Sequence, residues 1–317
     1  MRRFLLVPLL ILPLPLRLVA NPVMDGADPH AVVFGKEYWL YPTEAHTKDA
    51  IFAAYRSTDL RTWKREGTIL ELDEVPWVKE DGAPWHGAWA PAMAEKGGRF
   101  YFYYSVGPQN PTPSRIGVAV ANSPAGPFKD SGKALLTGGN GFEAIDPMVY
   151  VDPKNRKAWF YAGGSAGAKL RVFEMADDMV SFKREVEVAQ PEKFTEGPFM
   201  HLRNGIYYLS YSHGRWNDSS YSVHYATATT PAGPWRYRGC ILESDAKHQG
   251  PGHHSFVENP STKEWFIIYH RWETSRKDPP YRGGRKLAVE KVEYDKEGLI
   301  LPIKMTDGKS PSSPIRR

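Results

Sequence analysis

Three acidic residues of the chain stand in matching company. Asp28 and Asp146 each precede a proline, Pro29 and Pro147, and Glu196 reaches Pro198 through Gly197. One Asp-Pro step is ordinary turn chemistry. Several such steps gain meaning only if the fold carries them to one place. Carboxyls that converge in a poorly solvated site raise one another's proton affinity, so one keeps its proton and can donate it. A carboxylate standing apart stays charged and can accept a proton. Burying such groups costs stability unless they are paired, hydrogen-bonded or used.

An internal repeat supplies the convergence. Five segments share a short leader, an apolar strand, a polar turn and an aromatic strand: ADPHAVVFGKEYWLYPT (27–43), WAPAMAEKGGRFYFYYS (89–105), IDPMVYVDPKNRKAWFYAGG (145–164), EGPFMHLRNGIYYLSYS (196–212) and HHSFVENPSTKEWFIIYHR (253–271). The leader prolines Pro29, Pro91, Pro147 and Pro198 are 62, 56 and 51 residues apart. Each segment is followed by a third strand and a second turn, where an aromatic recurs as Trp63, Phe128, Phe182 and Trp235. Four short strands repeated five times predict an all-β, five-bladed β-propeller, in which stacked neighbours bury the sheet faces that one blade cannot bury alone. A β-sandwich would leave the fivefold period unexplained.

In a propeller every leader sits at the same end of an innermost strand, by the mouth of the central channel. The five leaders carry Asp28, Trp89-Ala90, Asp146, Glu196 and His253-His254. Ring order places Asp146 and Glu196, in blades 3 and 4, side by side, with Asp28 of blade 1 across the channel. The adjacent pair favours a retained proton on one member, and the isolated Asp28 favours activation of water. Acid on one side and base on the other is the arrangement of glycoside hydrolysis with inversion, where the two carboxyls stand roughly 6.5–9.5 Å apart.

Composition agrees with a surface that meets neutral ligands. The chain has 317 residues, with 41 Lys+Arg against 36 Asp+Glu. Three of the basic residues, Arg2, Arg3 and Arg17, lie in residues 1–20. There a charged start precedes the uncharged apolar run Phe4 to Leu16. That run is too short to span a bilayer, which takes roughly 20 apolar residues, and matches a signal peptide. The expected organisation is therefore a signal peptide at 1–20, a propeller at 21–306 and a polar tail at 307–317. The product is expected outside the cytoplasm, secreted or periplasmic, with no membrane span after processing. The remaining 38 basic and 36 acidic residues argue against a nucleic-acid partner. The single cysteine, Cys240, excludes an internal disulfide and reads as a small buried hydrophobe.

These same residues resemble glycoside hydrolase family 43, from Asn21-Pro22-Val23 to about Met305. The most specific pieces are ADPHAVVFGKEYWLYP, WAP at 89–91, IDP at 145–147, EGP at 196–198, GHHSFV at 252–257 and YHR at 269–271. The resemblance implies an inverting five-bladed propeller with Asp28 as general base, Glu196 as general acid and Asp146 as the residue that tunes and orients Glu196. It further implies that Arg285 reaches substrate hydroxyls, with Arg271 as a rival, and that His253 faces a channel cation, usually calcium. Calcium prefers oxygen ligands, so that ion would be mostly water-coordinated. No organic cofactor is implied. Trp89 offers an aromatic face to a sugar ring. The expected partner is a plant-type carbohydrate with terminal furanose or xylose units, and α-L-arabinofuranosidase leads β-xylosidase, endo-arabinanase and β-galactofuranosidase. A fructosidase-like retaining enzyme lacks support in the residues around Asp28 and Asp146. A sugar-binding propeller without catalysis is the alternative of another class, although all three carboxylates are present.

Overall fold

The structure is a computed structural model that describes residues 21–44, 50–165, 167–308 and 314. The expected signal peptide and most of the expected polar tail lie outside the described residues. Five antiparallel sheets form. Blade 1 comprises Ala27–Phe34, Glu37–Thr43, Ile51–Ser57 and Lys64–Glu71. In blade 2, Ala88–Lys96, Arg99–Val106 and Arg115–Ala121 are edged by the short strands Lys129–Asp130 and Leu136–Thr137. Blade 3 holds Met148–Val151, Ala158–Ala162, Arg171–Met175 and Phe182–Val186. Blade 4 holds Glu196–Arg203, Ile206–His213, Ser222–Ala228 and Arg236–Leu242. Blade 5 is built from Gln249–Glu258, Trp265–Trp272 and Lys286–Val292. The innermost strands meet in ring order, with blade 5 returning to blade 1. The five-bladed propeller expected from the repeat is the observed architecture.

Packing explains why these strands are apolar on both faces. In Arg99–Val106, Phe102 packs on Phe52 of blade 1 at 5.1 Å between ring centroids, while Tyr103 packs on Phe160 of blade 3 at 5.9 Å. Successive side chains point to opposite faces of a strand, and each face of this sheet meets a neighbouring blade. The Tyr103 hydroxyl then donates to the carbonyl of Met179 across that same seam, at 2.7 Å. The recurrent second-turn aromatics sit where the outer strands begin; Phe182 stacks on Phe173 at 4.2 Å. Asn204-Gly205 closes the hairpin of blade 4 with both residues at positive φ, +49° and +83°, the backbone a tight two-residue turn demands.

Ring closure departs from the simple repeat. The outer strand of blade 5 does not come from the residues after Val292, where Tyr294 and Ile300 make only an isolated bridge. It is Met24–Asp25, from the other end of the chain, paired with Leu287 and Lys286. The buried Asn21 anchors this closure. The two N–H bonds of its side-chain amide are shared among the Val289 carbonyl, Glu290 Oε1 and Thr306 Oγ1, at 3.0, 2.9 and 2.9 Å from Nδ2, and its Oδ1 accepts the Val289 N–H at 3.0 Å. Joining both ends of the chain in one blade gives the ring hydrogen bonds at the seam where it would otherwise open. These contacts continue past Thr306, because the Gly308 N–H donates to the Asn21 carbonyl at 3.2 Å. Two short 3-10 helices, Leu72–Glu74 and Pro76–Asp81, link blades 1 and 2. Cys240 is partly rather than fully buried, because it lies on an outer strand.

Candidate active site

The same distortion recurs near the channel end of each innermost strand. Asp28, Ala90, Asp146, Gly197 and His253 all adopt positive φ, between +38° and +61°. Such a backbone costs roughly 1–3 kcal/mol at a non-glycine residue and persists only where the surroundings enforce it. The enforcement comes largely from the preceding blade. The Ala90 N–H donates to Thr43 Oγ1 at 2.7 Å, Asp146 to Ser105 Oγ at 3.0 Å and His253 to Ser212 Oγ at 2.8 Å. The Asp28 N–H donates to Nδ1 of His270 at 3.1 Å. Burial pushes the His270 pKa down to about 3, which leaves a neutral ring able to accept.

This register corrects one expectation. Asp28, Asp146 and His253 occupy one level of the ring, but Glu196 stands one residue earlier, at the step that Trp89 holds in blade 2. The spacing of Pro198 permits this, since Gly197 takes the strained position. A Cβ at Gly197 would come within 3.3 Å of the His253 ring and of Ser212 Oγ, so the position favours glycine on two counts.

The three carboxylates are buried and differently poised. Burial opposes charge on Asp28, but the Arg285 guanidinium and His253 outweigh it and hold this carboxyl well below the usual range. Arg285 Nη1 donates to Asp28 Oδ1 at 2.8 Å. Asp146 is pushed well above the usual range by burial, then by Glu196, Asp28 and Glu143, against one hydrogen bond from the Gly197 N–H at 2.9 Å. Glu196 is pushed up to about 7, chiefly by burial and further by Asp28 and Glu143, while a hydrogen bond from Tyr221 and the charge of Arg285 pull the other way. One buried carboxylate thus stays ionised beside a pair that retains protons. That separation equips a site to accept a proton at one side and donate one at the other.

The remaining expected residues divide. Arg285 enters the site through Asp28. Arg271 does not: its fully buried guanidinium donates to Glu273, Tyr269 and the Thr306 carbonyl. Neighbouring residues of a strand face opposite sides, so His270 takes the channel and Arg271 the blade interior. Trp89 is partly buried, with its indole between Gly87 and Gly107, where a Cβ would come within 2.4 and 2.2 Å of the ring, and edge-on to the exposed Trp85 at 5.9 Å.

His253 Nδ1 lies 3.5 Å from both Asp28 Oδ1 and Asp146 Oδ2. Those two oxygens are already engaged by Arg285 and Gly197. Neither oxygen is thus left free to ligate a cation directly, the coordination that calcium prefers. His248, Glu273 and Asp307, on another part of blade 5, bring ligand-type atoms within 4.8 Å of one another. There His248 Nε2 already meets Asp307 at 2.6 Å and Glu273 serves Arg271.

Several neighbours of the carboxylates were not legible in the leaders. Tyr221 donates to Glu196, Glu143 is buried three residues before Asp146, and His270 sits in the YHR piece. Trp216 is 44 % exposed, stacks on Trp272 and carries the Arg285 guanidinium 5.0 Å above its ring. Exposure of a tryptophan is a signal only once the structure is known.

Comparison with known proteins shows the family. The family description "Glycosyl hydrolases family 43" matches residues 19–300. The chain is 35% identical to a β-D-galactofuranosidase of Aspergillus niger, over 90% of this chain and 85% of that protein. It is 30% identical to a xylosidase/arabinosidase of Humicola insolens, over 88% of this chain and 96% of the relative. Among solved structures, a thermostable family-43 glycoside hydrolase superposes with a TM-score of 0.76 at 27% identity, covering 94% of this chain and 99% of that one. A β-xylosidase/α-arabinofuranosidase from a compost metagenome, in a calcium-free form with xylotriose, gives 0.71 at 26% identity, covering 89% and 96%. The chain belongs to glycoside hydrolase family 43 and is a glycosidase.

Proposed function

We propose that this glycosidase releases furanose or xylose units from plant-type polysaccharides or oligosaccharides with inversion, in one displacement. The observation that carries the proposal is the opposite poise of Asp28, held ionised by Arg285, and Glu196, raised to about 7. Asp28 takes a proton from water as its oxygen attacks the anomeric carbon. Glu196 gives its proton to the departing glycosidic oxygen, and no covalent intermediate forms. Asp146 holds the Gly197 N–H and so fixes the backbone beside Glu196. Trp89 offers a sugar-facing ring, and Arg285 also lies within reach of substrate hydroxyls near Asp28. A calcium ion held through water near His253 would add positive charge beside the carboxylates.

The leading substrate is an α-L-arabinofuranoside. The Aspergillus niger relative supports a second reading, β-D-galactofuranoside. The two sugars share ring stereochemistry and differ in the exocyclic arm, so the same acid and base could serve both. The apolar N-terminal run supports export to the periplasm or beyond. The test is hydrolysis of 4-nitrophenyl α-L-arabinofuranoside, β-D-galactofuranoside and β-D-xyloside, alongside arabinan and arabinoxylan, with proton NMR of the first-formed sugar. Release of free arabinose with an inverted anomeric centre is expected. Retention refutes the single displacement, and binding of the panel without turnover refutes the catalytic assignment.

A further inference from the structure

Glu196 has two carboxyl oxygens, and the structure gives them different surroundings. The Tyr221 hydroxyl donates to Oε1 at 2.7 Å, with both residues buried. Burial first, then the nearby Glu196 and Asp146, hold the phenol well above its ordinary value, so it keeps its proton and acts as the donor. An oxygen that accepts this bond is a poor place for the carboxyl's own proton.

The tyrosine is firmly placed. Its ring lies parallel to His270, 5.7 Å away with 5° between the planes, and His270 in turn receives the Asp28 N–H. On the Gly252 side there is no spare room: a Cβ there would fall 2.1 Å from the Tyr221 ring. Tyr221 thus connects the two halves of the site, through its hydroxyl to Glu196 and through its ring to the partner of Asp28.

We propose that Tyr221 is a positioning residue that pins Oε1 of Glu196 and leaves the transferable proton on Oε2. This rests on Glu196 being the acid. As the bond between the anomeric carbon and the glycosidic oxygen breaks, the Oε2 proton passes to that oxygen. The attacking water forms the new bond and gives its proton to Asp28, so one water is consumed for each bond cleaved. Besides Tyr221, the groups that bear on Glu196 are Asp28, Glu143 and Arg285, and the adjoining Asp146 keeps its own proton. The phenol is the one that bonds an oxygen of its carboxyl directly.

The test is Tyr221→Phe, which removes the hydroxyl and keeps the ring on His270, with a thermal melt to verify the fold. The phenol stabilises the ionised carboxyl, so its loss should raise the alkaline limb of kcat/KM by about one pH unit. On an oligosaccharide the plateau should fall about tenfold, because proton donation is less well aimed, while an aryl glycoside with a weakly basic leaving group should lose less than about twofold. Gly252→Ala, which displaces the ring without altering its chemistry, should move the limb in the same direction. An unmoved or lowered limb, or equal losses on both substrates, overturns the positioning role. Oligosaccharide hydrolysis by Glu196→Gln at the wild-type rate would instead overturn the acid assignment beneath it.

Discussion

Replacing Glu196 by Gln should make the protein more stable above neutral pH even as it disables the site. The carboxyl binds its proton near pH 7 in the folded chain against a reference of 4.5. A raised value means that the native state holds more protons than the unfolded one between those limits. Stability therefore falls as pH rises from about 4.5 to about 7 and is level beyond. A shift of this size corresponds to roughly 3 kcal/mol, at about 1.4 kcal/mol for each pH unit. Glutamine keeps the shape and an oxygen for Tyr221 but never ionises. The assay is urea unfolding of both proteins at pH 4 and pH 8. The difference between them should grow in favour of the variant by about 3 kcal/mol from the first pH to the second. Taking the change with pH cancels any loss of contacts common to both conditions. A difference that stays flat would show that burial and neighbouring charges do not raise this carboxyl, and would remove the physical basis for its role as acid.

Asp28→Ala should lower turnover about 10²–10⁴-fold on every substrate, activated aryl glycosides included, since water still needs a base; near-normal turnover by the folded variant rules Asp28 out. Asp146→Asn should leave the alkaline limb of an oligosaccharide profile within about half a pH unit of the wild type, because Asp146 keeps its own proton where Glu196 titrates and an amide oxygen can still accept from Gly197; a marked downward shift would show that Asp146 is ionised there. Chelation should lower activity without lowering the melting temperature, with recovery on added calcium, if a water-held cation near His253 supports the site; full activity in protein shown metal-free by elemental analysis refutes it. Asn21→Ala should cost about 3 kcal/mol by removing the side-chain hydrogen bonds at the ring closure, read by urea unfolding; a loss below about 0.5 kcal/mol would mean that the closure contributes little.

The period of the leaders was enough to place five inner strands around a channel, because each blade repeats the same apolar and aromatic pattern. Ring closure was not legible. Met24–Asp25 is too short to stand out as a strand, and its partner Lys286–Val292 lies at the far end of the sequence. The supporting residues were hidden for a related reason. Tyr221 and His270 reach the carboxylates, and Trp216 underlies Arg285, from connections and second strands, where nothing in the local sequence separates a site residue from a core aromatic. His270 and Arg271 show how little divides them, since a one-residue step along a strand exchanges the channel for the blade interior.

Asp146 shows what the repeat conceals and then explains. In blades 2, 3 and 5, the strained N–H of the inner strand is held by a side-chain hydroxyl from the blade before it, and in blade 1 His270 does this work. Blade 4 has no such residue to call on, since the second strand of blade 3 ends in Ala162-Gly163-Gly164. A side chain there would collide: a Cβ on Gly163 would fall 1.9 Å from the Lys169 carbonyl oxygen, and one on Gly164 would fall 2.4 Å from Ile145. The Asp146 carboxylate accepts the Gly197 N–H in place of the missing hydroxyl. A structural vacancy in blade 3 is therefore filled by an ionisable group, and the bond it makes is one residue from Glu196. What Asp146 does for Glu196 is therefore first a matter of position, since it fixes the backbone on which the acid is carried.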